Sequence, residues 1–358
     1  MASLIDFSSL TLNEEEARSL SECIQEQVYV NPDLAQTHQI MTGVEMDKRI
    51  PILGQYGLVG KVDPGDCSTN DESAQIPTSQ KTWTPKLISS RLIHCQAQIP
   101  DLLKFWKKSR IALGTWEEVD NEMMAFINDR VVDAMLKAII RVSEFGDTTH
   151  SPVGDGAGNE KLTVGQTKAY WNILNGMWNQ IFTDQAGSAL SYRYTITENS
   201  AGTKVAQLAL ASDRALNMFR DMYNNADPRV FESRNLVFQV SRNLFTNWQD
   251  FMEDKSLVFM LDRTEDGTTK WQYRGIPIIV RSDWDRIVQT YFDNGTTYDL
   301  PNRAILTDIA NIPIGTSDEG SLSDLDSFYD KKDKKHYIDL AFKLDQKNLE
   351  EYAMCVAY

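Results

Sequence analysis

The chain has 358 residues, of which 42% are hydrophobic and 24% charged, a balance typical of globular proteins and unlike that of disordered ones. Its formal net charge of −15 argues against a protein whose main task is to grip nucleic acid. No stretch approaches the roughly 18 uninterrupted apolar residues of a membrane span, and no signal-peptide pattern is seen at the start. The four scattered cysteines favour free thiols, and the length predicts two or three packed units.

The first hundred residues are predicted to be polar and extended. A capping-box pattern at residues 11–14 (Thr-Leu-Asn-Glu) begins a short helix that should run to about residue 27. Residues 51–98 have the pattern of a long two-stranded hairpin, with an outgoing strand at 52–62, a polar tip at 67–79 and a returning strand at 81–98. Because so long a polar loop is unusual inside a compact domain, an outward-reaching hairpin is the better interpretation.

The strongest pattern in the chain is that of a single long helix. A second capping box stands at residues 115–118 (Thr-Trp-Glu-Glu), Gly146 stands where a terminating glycine belongs, and apolar residues between them recur at spacings of three and four. The pattern predicts one helix of about 30 residues, roughly 45 Å long. A glycine-rich loop at 147–160 follows, and a second helix is predicted over 164–183.

From about residue 204 the sequence predicts a mixed α/β unit. A helix should run through to about residue 223, a buried strand should cover 236–240, and Ser241 should begin the next helix. The later predicted elements are a hairpin pairing 257–261 with 270–273, a strand at 275–280, a helix from Asp283 to about 292, a strand at 304–309, and closing strands at 336–344 and 351–357.

The sequence contains no common catalytic motif and only four histidines, so we expect no enzyme activity, no cofactor and no metal. The nearest approach to a cation site is the group Asp147, His150, Asp155 and Glu160 in the glycine-rich loop, which lacks the spacing of an EF-hand. A plain polar turn is the preferred interpretation of this loop, and a cation site is the alternative.

The order of these elements resembles that of the major capsid proteins of tailed bacteriophages, the Hong Kong 97-type family, whose fold is shared with encapsulin shells. Residues 236–240 with the helix at Ser241 resemble the family's strand-then-helix. Residues 273–280 resemble its "G-x-P" strand, and residues 302–316 its later strand and glycine-containing turn.

The resemblance implies an α+β phage major capsid protein fold divided into five segments. These are an N-terminal arm (1–50), an extended loop and its return (51–114), a peripheral domain (115–203) with a spine helix at 115–146, an axial domain (204–305), and closing strands of the peripheral domain (306–358).

The implied function is that of a structural shell subunit in the virion, synthesised in the cytoplasm of a bacterial host. Hexamers and pentamers would form an icosahedral shell that encloses double-stranded DNA without sequence-specific binding and without a membrane. Separate scaffold, portal and decoration proteins are the implied partners. Candidate contact residues are Leu12, Val28, Lys61, Trp83 and Lys86; Lys61, Lys81 and Lys86 lie where some family members carry a cross-linking lysine, although cross-linking is not predicted here.

Three alternatives stay open from the sequence. An encapsulin-type compartment would enclose cargo enzymes in place of DNA. A soluble α/β hydrolase would use the Asp147–Glu160 loop, and a tail or other virion protein would form tubes or rings.

Overall fold

A computed structural model describes residues 34–53, 78–95, 116–156, 158–187, 190, 192–255, 262–263, 269–317, 326–330, 332 and 335–358. The predicted helix at 11–27, most of the polar tip and the predicted strand at 257–261 lie outside these residues. In the described part, no helix is both long enough and apolar enough to cross a membrane.

The helices and strands alternate through much of the described chain. The α-helices are α1 (Leu34–Thr37), α2 (Trp116–Phe145), α3 (Met177–Ala186), α4 (Lys204–Leu208), α5 (Arg214–Asn225), α6 (Arg242–Asp254) and α7 (Ser282–Tyr291). The strands are β1 (Ile40–Met41), β2 (Arg49–Leu53), β3 (Thr78–Thr82), β4 (Lys86–Cys95), β5 (His150–Pro152), β6 (Asn159–Leu162), β7 (Tyr192–Tyr194), β8 (Leu236–Val240), β9 (Asp262–Arg263), β10 (Thr269–Lys270), β11 (Gln272–Tyr273), β12 (Ile276–Val280), β13 (Ala304–Asp308), β14 (Ile314–Gly315), β15 (Asp326–Asp330), β16 (Lys335–Gln346) and β17 (Met354–Ala357).

The larger of the two main sheets has six strands in the order β11-β12-β8-β13-β17-β7. β8 lies parallel to β12 and antiparallel to β13, so the sheet is mixed. All five residues of β8 are buried, as expected of a strand covered on both faces. Side chains of the neighbouring strand β13 point alternately to the two faces of the sheet, and helices cover both. Ala304 and Leu306 pack with α5 and α6 on one face, whereas Ile305 packs with the tryptophans of α3 and α7 on the other.

The second sheet joins distant parts of the chain. Its strands follow the order β1-β14-β16-β15, and β4 pairs with residues 335–344 of β16 over ten antiparallel residue pairs. Helix α2 covers this sheet, with Met135, Ile139 and Val142 against Phe342 and Leu344. The prediction of a returning hairpin strand at 81–98 is therefore wrong in its partner: β4 pairs with the closing strand, and only β2 and β3 pair with each other.

The long helix is confirmed: α2 spans 30 residues, within one residue of each predicted bound. It ends at Gly146 because there is no room for a side chain there. A Cβ at Gly146 would lie 2.5 Å from the carbonyl oxygen of Val142 and 2.6 Å from that of Leu174. Among the predicted apolar positions whose side chains are described, Val131, Val142 and Phe145 are buried, whereas Ala134 is exposed.

The second predicted helix is wrong over most of its length. Only α3, which begins at Met177, is α-helical; residues 164–176 form turns and a 3₁₀ segment. Gly165 has a positive φ of 81°, outside the helical region. Gly176 is the N-cap of α3 and lies against the end of α2, where a Cβ would come 2.7 Å from the Ser143 carbonyl oxygen.

In the α/β unit most predicted elements are confirmed, with two differences. The predicted helix from 204 to 223 is divided into α4 and α5, because the amide of Ala211 donates to the carboxylate of Glu198 (3.2 Å) and leaves the helical ladder. In the described part of the predicted hairpin, β9 pairs with β10, while β11 pairs with β12 across a turn in which Arg274 and Gly275 both have positive φ.

Candidate functional site

The β2–β3 hairpin is largely exposed in the described part of the chain. Its five residue pairs run from Arg49–Thr82 to Leu53–Thr78 and make no ladder with another sheet. Arg49, Thr78, Ser79 and Gln80 are exposed. An isolated two-stranded hairpin is marginally stable in water, so this hairpin depends on the contacts at its base and on whatever covers it.

Trp83 provides the main contact at the base of the hairpin. Its amide donates to the Lys48 carbonyl (2.9 Å), and its own carbonyl accepts from the Asp47 amide (3.0 Å). The indole ring is 1% exposed and lies on Gly315 of β14, where an added Cβ would be 2.7 Å from its Cζ3 atom. The interpretation of Trp83 as a contact to a neighbouring subunit is therefore corrected, because its ring is buried within its own chain.

Two polar contacts hold the same base. The Lys81 ammonium pairs with the Glu351 carboxylate, both side chains being about one-third exposed. The amide of Thr84 donates to Oδ2 of Asp345 (2.7 Å) on β16. A partly exposed ion pair contributes at most about 1 kcal/mol, so the buried Trp83 ring is the stronger fastening.

The surface next to the hairpin carries an apolar residue that faces solvent. Leu87 on β4 is 65% exposed, and its neighbour Lys86 is also exposed. Ile88, one position further, packs towards helix α2, so the strand presents Leu87 on its outer face. Other large apolar side chains exposed in the described chain are Met46, Leu136, Val164, Tyr170, Val205 and Phe231. Such residues are candidates for protein contacts.

The predicted contact residues are thus not brought together in the described structure. Trp83 is buried and Lys86 is exposed on β4. Leu12, Val28 and Lys61 lie outside the described residues. Sequence reasoning did not predict that Leu87 faces outwards. The available signal was its position beside Lys86 and next to Ile88, which faces inwards.

A buried charge network ties the inner end of the arm to the body of the molecule. Glu144, in the last turn of α2, is fully buried and accepts hydrogen bonds from His38 Nε2 (2.8 Å), Trp284 Nε1 (2.5 Å) and the Arg281 guanidinium. Arg281 also donates to both oxygens of Asp283, at 3.0 and 2.6 Å. The network joins the segment after α1 to α2 and to the start of α7.

Gln239 of β8 completes this network. Its Oε1 atom accepts from Arg281 (2.6 Å), and its Nε2 atom donates to the carbonyl of Thr37 (2.8 Å). A polar residue is tolerated in the middle of a fully buried strand because each end of its amide has a partner. The side-chain amide therefore connects the central sheet to the same arm segment.

The electrostatics of the network favour its charged form. Burial by itself would raise the pKa of Glu144, but the charge of Arg281 and hydrogen bonds from His38 and Arg281 outweigh burial and lower it. Burial would likewise lower the pKa of Arg281, but Glu144 and Asp283 raise it. Burying these charges costs little free energy while every partner is present, whereas removing one partner leaves an uncompensated buried charge.

The glycine-rich loop forms polar turns, the interpretation that the sequence favoured over a cation site. Asp147 accepts from the amide and hydroxyl of Thr149, both at 2.7 Å, and Glu160 accepts from the amides of Gly154 (3.2 Å) and Gly156 (2.6 Å). Asp155 pairs with Lys168 (3.1 Å) instead of joining them. The carboxylates close turns of the loop, and within the described residues no cluster of metal ligands is found.

A cavity of about 530 Å³ lies between this loop, α3 and the start of β13. It is lined by aromatic rings and by Arg303, which donates to the Leu300 carbonyl (2.7 Å) and lies 4.9 Å from the centre of the Trp178 ring. Burial lowers the pKa of Arg303 to about 10. Burial also lowers the pKa of His150. Within the cavity, Lys161 and Arg303 each form an ion pair with Asp299. Its described lining presents no nucleophile with an adjacent base.

No protein-family model matches the chain, and no curated protein matches it. Among solved structures, a chain of Gordonia phage Cozz is similar with a TM-score of 0.50 and 12% identity, over 95% of this chain and 91% of that one. This chain has the phage major capsid protein fold. At 12% identity the likeness shows the fold alone.

Two other phage structures are similar at slightly lower TM-scores. The cyanophage A-1(L) capsid asymmetric unit gives 0.49 with 12% identity over 95% of each chain. The satellite phage P4 procapsid gives 0.49 with 11% identity over 91% of this chain and 94% of that one.

Proposed function

We propose that this chain is a structural major capsid protein of a tailed bacteriophage, whose copies assemble into hexamers and pentamers of an icosahedral shell around double-stranded DNA. The observation that carries the proposal is the match of nearly the whole chain, 95% of it, to a chain of a phage structure. The protein is then a component of the virion that is synthesised in the cytoplasm of a bacterial host.

The proposed role is structural and not enzymatic. The carboxylates that sequence analysis singled out are each occupied by turns or ion pairs of their own loop. The most elaborate polar cluster, around Glu144, is fully buried within the described structure. Both features favour packing and positioning over chemistry.

The proposed division of the chain follows the segments expected from the resemblance. The arm (1–50) ends within β2, the first strand of the hairpin that begins the extended loop (51–114), and α2 is the spine helix of the peripheral domain (115–203). The axial domain (204–305) supplies β8, β11, β12 and the first two residues of β13 to the six-stranded sheet. Strands β7 and β17, from the peripheral segments, complete that sheet, so the two domains share it.

Other copies of the chain are the proposed principal partners. The exposed hairpin, the outer face of β4 with Leu87, and the exposed Lys86 at the start of β4 are proposed contacts; Leu12, Val28 and Lys61 remain predicted contacts. Scaffold, portal and decoration proteins are further proposed partners. The net charge of −15 suits a container that does not hold its DNA tightly.

Sedimentation velocity and light scattering on the purified full chain, alone and with the scaffold protein of the same genome, test this proposal. Rings of five and six copies, or shells, are the expected species. A monomer at all concentrations and with scaffold would overturn the proposal. Tubes would indicate a tail protein, and shells that co-purify with cargo enzymes would indicate an encapsulin-type compartment.

A further inference from the structure

The hydrogen bonds of His38 define its protonation state. The ring is fully buried; Nε2 lies 2.8 Å from Oε1 of Glu144, and Nδ1 lies 2.9 Å from the carbonyl oxygen of Ile312. A neutral imidazole has one N–H donor and one lone pair, whereas an imidazolium has two donors. A carbonyl oxygen can only accept, so Nδ1 must carry a proton.

The second ring nitrogen also faces an acceptor. Glu144 already accepts from Trp284 Nε1 (2.5 Å) and from the Arg281 guanidinium, and these donors favour its ionised form. An ionised carboxylate offers no proton to Nε2 of His38. The short Nε2–Oε1 distance therefore requires a proton on Nε2 as well.

We propose that His38 is held as an imidazolium and that its charge is a latch which fastens the inner end of the N-terminal arm to helix α2 and to the turn before strand β14. Loss of the proton leaves one ring nitrogen with a lone pair facing an oxygen atom. The arm segment then separates from the body of the protein more readily.

The surroundings of His38 make its charge matter. The charged groups around it are Glu144 from α2, and Arg281 and Asp283 from the junction of β12 and α7, so two cations and two anions balance while His38 is protonated. The neutral partners are Gln239 of β8, Trp284 of α7 and the Ile312 carbonyl. Deprotonation leaves an excess negative charge in a site that water does not reach, which is costly.

The latch holds a specific stretch of backbone. Residues on either side of His38 are bound through the Gln239–Thr37 hydrogen bond (2.8 Å) and through the Ile314 amide, which donates to the Gln39 carbonyl (2.8 Å). Next to them, β1 pairs with β14 over only two residues. So short a ladder is weak on its own, and His38 is the charged contact beside it.

His150 supplies an internal control in the same chain. It is also more than nine-tenths buried, but its Nδ1 has no hydrogen-bond partner and lies 3.6 Å from Oδ2 of Asp147. Burial lowers the pKa of His150, so its ring is neutral at pH 7. The two buried histidines therefore differ in charge: His38 is an imidazolium and His150 is neutral.

Nitrogen-15 NMR of the histidine rings in the full-length protein at pH 7 tests the charge state directly. His38 is expected to show two similar shifts with both nitrogens protonated, and His150 two widely separated shifts of a neutral tautomer. Assignment uses His150→Gln, and a triple variant that also carries His94→Gln and His336→Gln and leaves His38 as the only histidine. A neutral pattern for His38 at pH 7 overturns the proposal, including the case in which Glu144 carries the proton.

Hydrogen exchange of residues 38–41 tests the latch itself. At neutral pH these amides are expected to exchange about tenfold or more slowly in the unmodified protein than in His38→Gln, since a charge-assisted hydrogen bond is lost. Protection equal in both proteins overturns the latch.

The meaning of the latch for assembly rests on the proposed function, because only in a shell does the arm reach a neighbouring copy. The two tests do not depend on assembly. A neutral His38 in a protein that forms shells refutes the latch alone, whereas a charged His38 in a protein that never assembles refutes the proposed function alone.

Discussion

The six-stranded sheet and the β2–β3 hairpin are stabilised in different ways. Strand β8 is buried along its whole length, and the sheet packs on both faces against helices of its own chain. In the hairpin, β2 and β3 pair with each other, both carry exposed residues, and the buried ring of Trp83 lies at the base. The sheet is complete within one chain, while the hairpin has surface left for a second chain. Substitutions in the two regions should therefore separate loss of folding from loss of assembly.

The largest expected effect is in the interior. Glu144→Gln removes a buried carboxylate and leaves Arg281 and His38 without their shared counter-charge, which should lower the free energy of unfolding by about 3–5 kcal/mol. Urea unfolding followed by tryptophan fluorescence measures this loss. The control Glu253→Gln, at an exposed position of α6, should change it by less than about 0.5 kcal/mol. Equal effects of the two substitutions would contradict the role given to the network.

A moderate effect is expected at the base of the hairpin. In Gly315→Ala the new methyl group would lie 2.7 Å from Cζ3 of Trp83 and displace the ring. Overpacking of this kind costs about 1–3 kcal/mol, and limited proteolysis should cut the hairpin faster. Gly202→Ala is the matched control because its added Cβ meets no atom within 4 Å. Unchanged proteolysis of Gly315→Ala would show that Trp83 does not fasten the hairpin.

A smaller, pH-dependent effect is expected at Asp285 in the first turn of α7. Its Oδ2 atom accepts from the amide of Arg242 (2.8 Å), and burial raises its pKa to about 6. A carboxyl group whose pKa is raised on folding favours the folded state only while protonated, so this contribution is lost as the pH rises from about 4 to about 6.

Asp285→Asn should therefore be more stable than the unmodified protein at pH 7.5. The expected gain is limited to about 1–2 kcal/mol because Asp285 is partly exposed and solvent screens its charge. The difference should vanish or reverse at pH 4. Urea unfolding at both pH values measures it. A gain of the same size at pH 4 and pH 7.5 would show that the ionised carboxylate is not the cause.

The smallest effect on stability is expected at the proposed contact surface. Leu87→Asp should change the free energy of unfolding by less than about 0.5 kcal/mol, since the side chain is exposed. It should nevertheless reduce the yield of assembled particles severalfold in a sedimentation assay, because a charge would be buried in the contact. Ser90→Asp, also exposed on β4, is the control. Full assembly of Leu87→Asp would remove β4 from the proposed contacts.

The sequence predicts best the elements whose cause is local. Helix α2 follows from its caps and its spacing of apolar residues, and β8 and β12 follow from short apolar runs between turns. The second helix fails because Gly176 lies against the end of α2, a contact that no local pattern reveals.

The candidate sites fail for a related reason. Trp83 meets Gly315, more than 200 positions away, so its burial has no local signal. His38, Glu144 and Arg281 meet only in the folded chain; a single acid in the apolar last turn of α2 was the one hint of their network. The loop carboxylates were grouped by proximity in sequence, but each is satisfied separately within the loop.

Electron microscopy of the purified full chain, in negative stain, tests the central claim most directly. Images taken with and without the scaffold protein should show closed shells, or rings with five-fold and six-fold symmetry. Single compact particles under every condition would contradict the claim that this chain builds a shell.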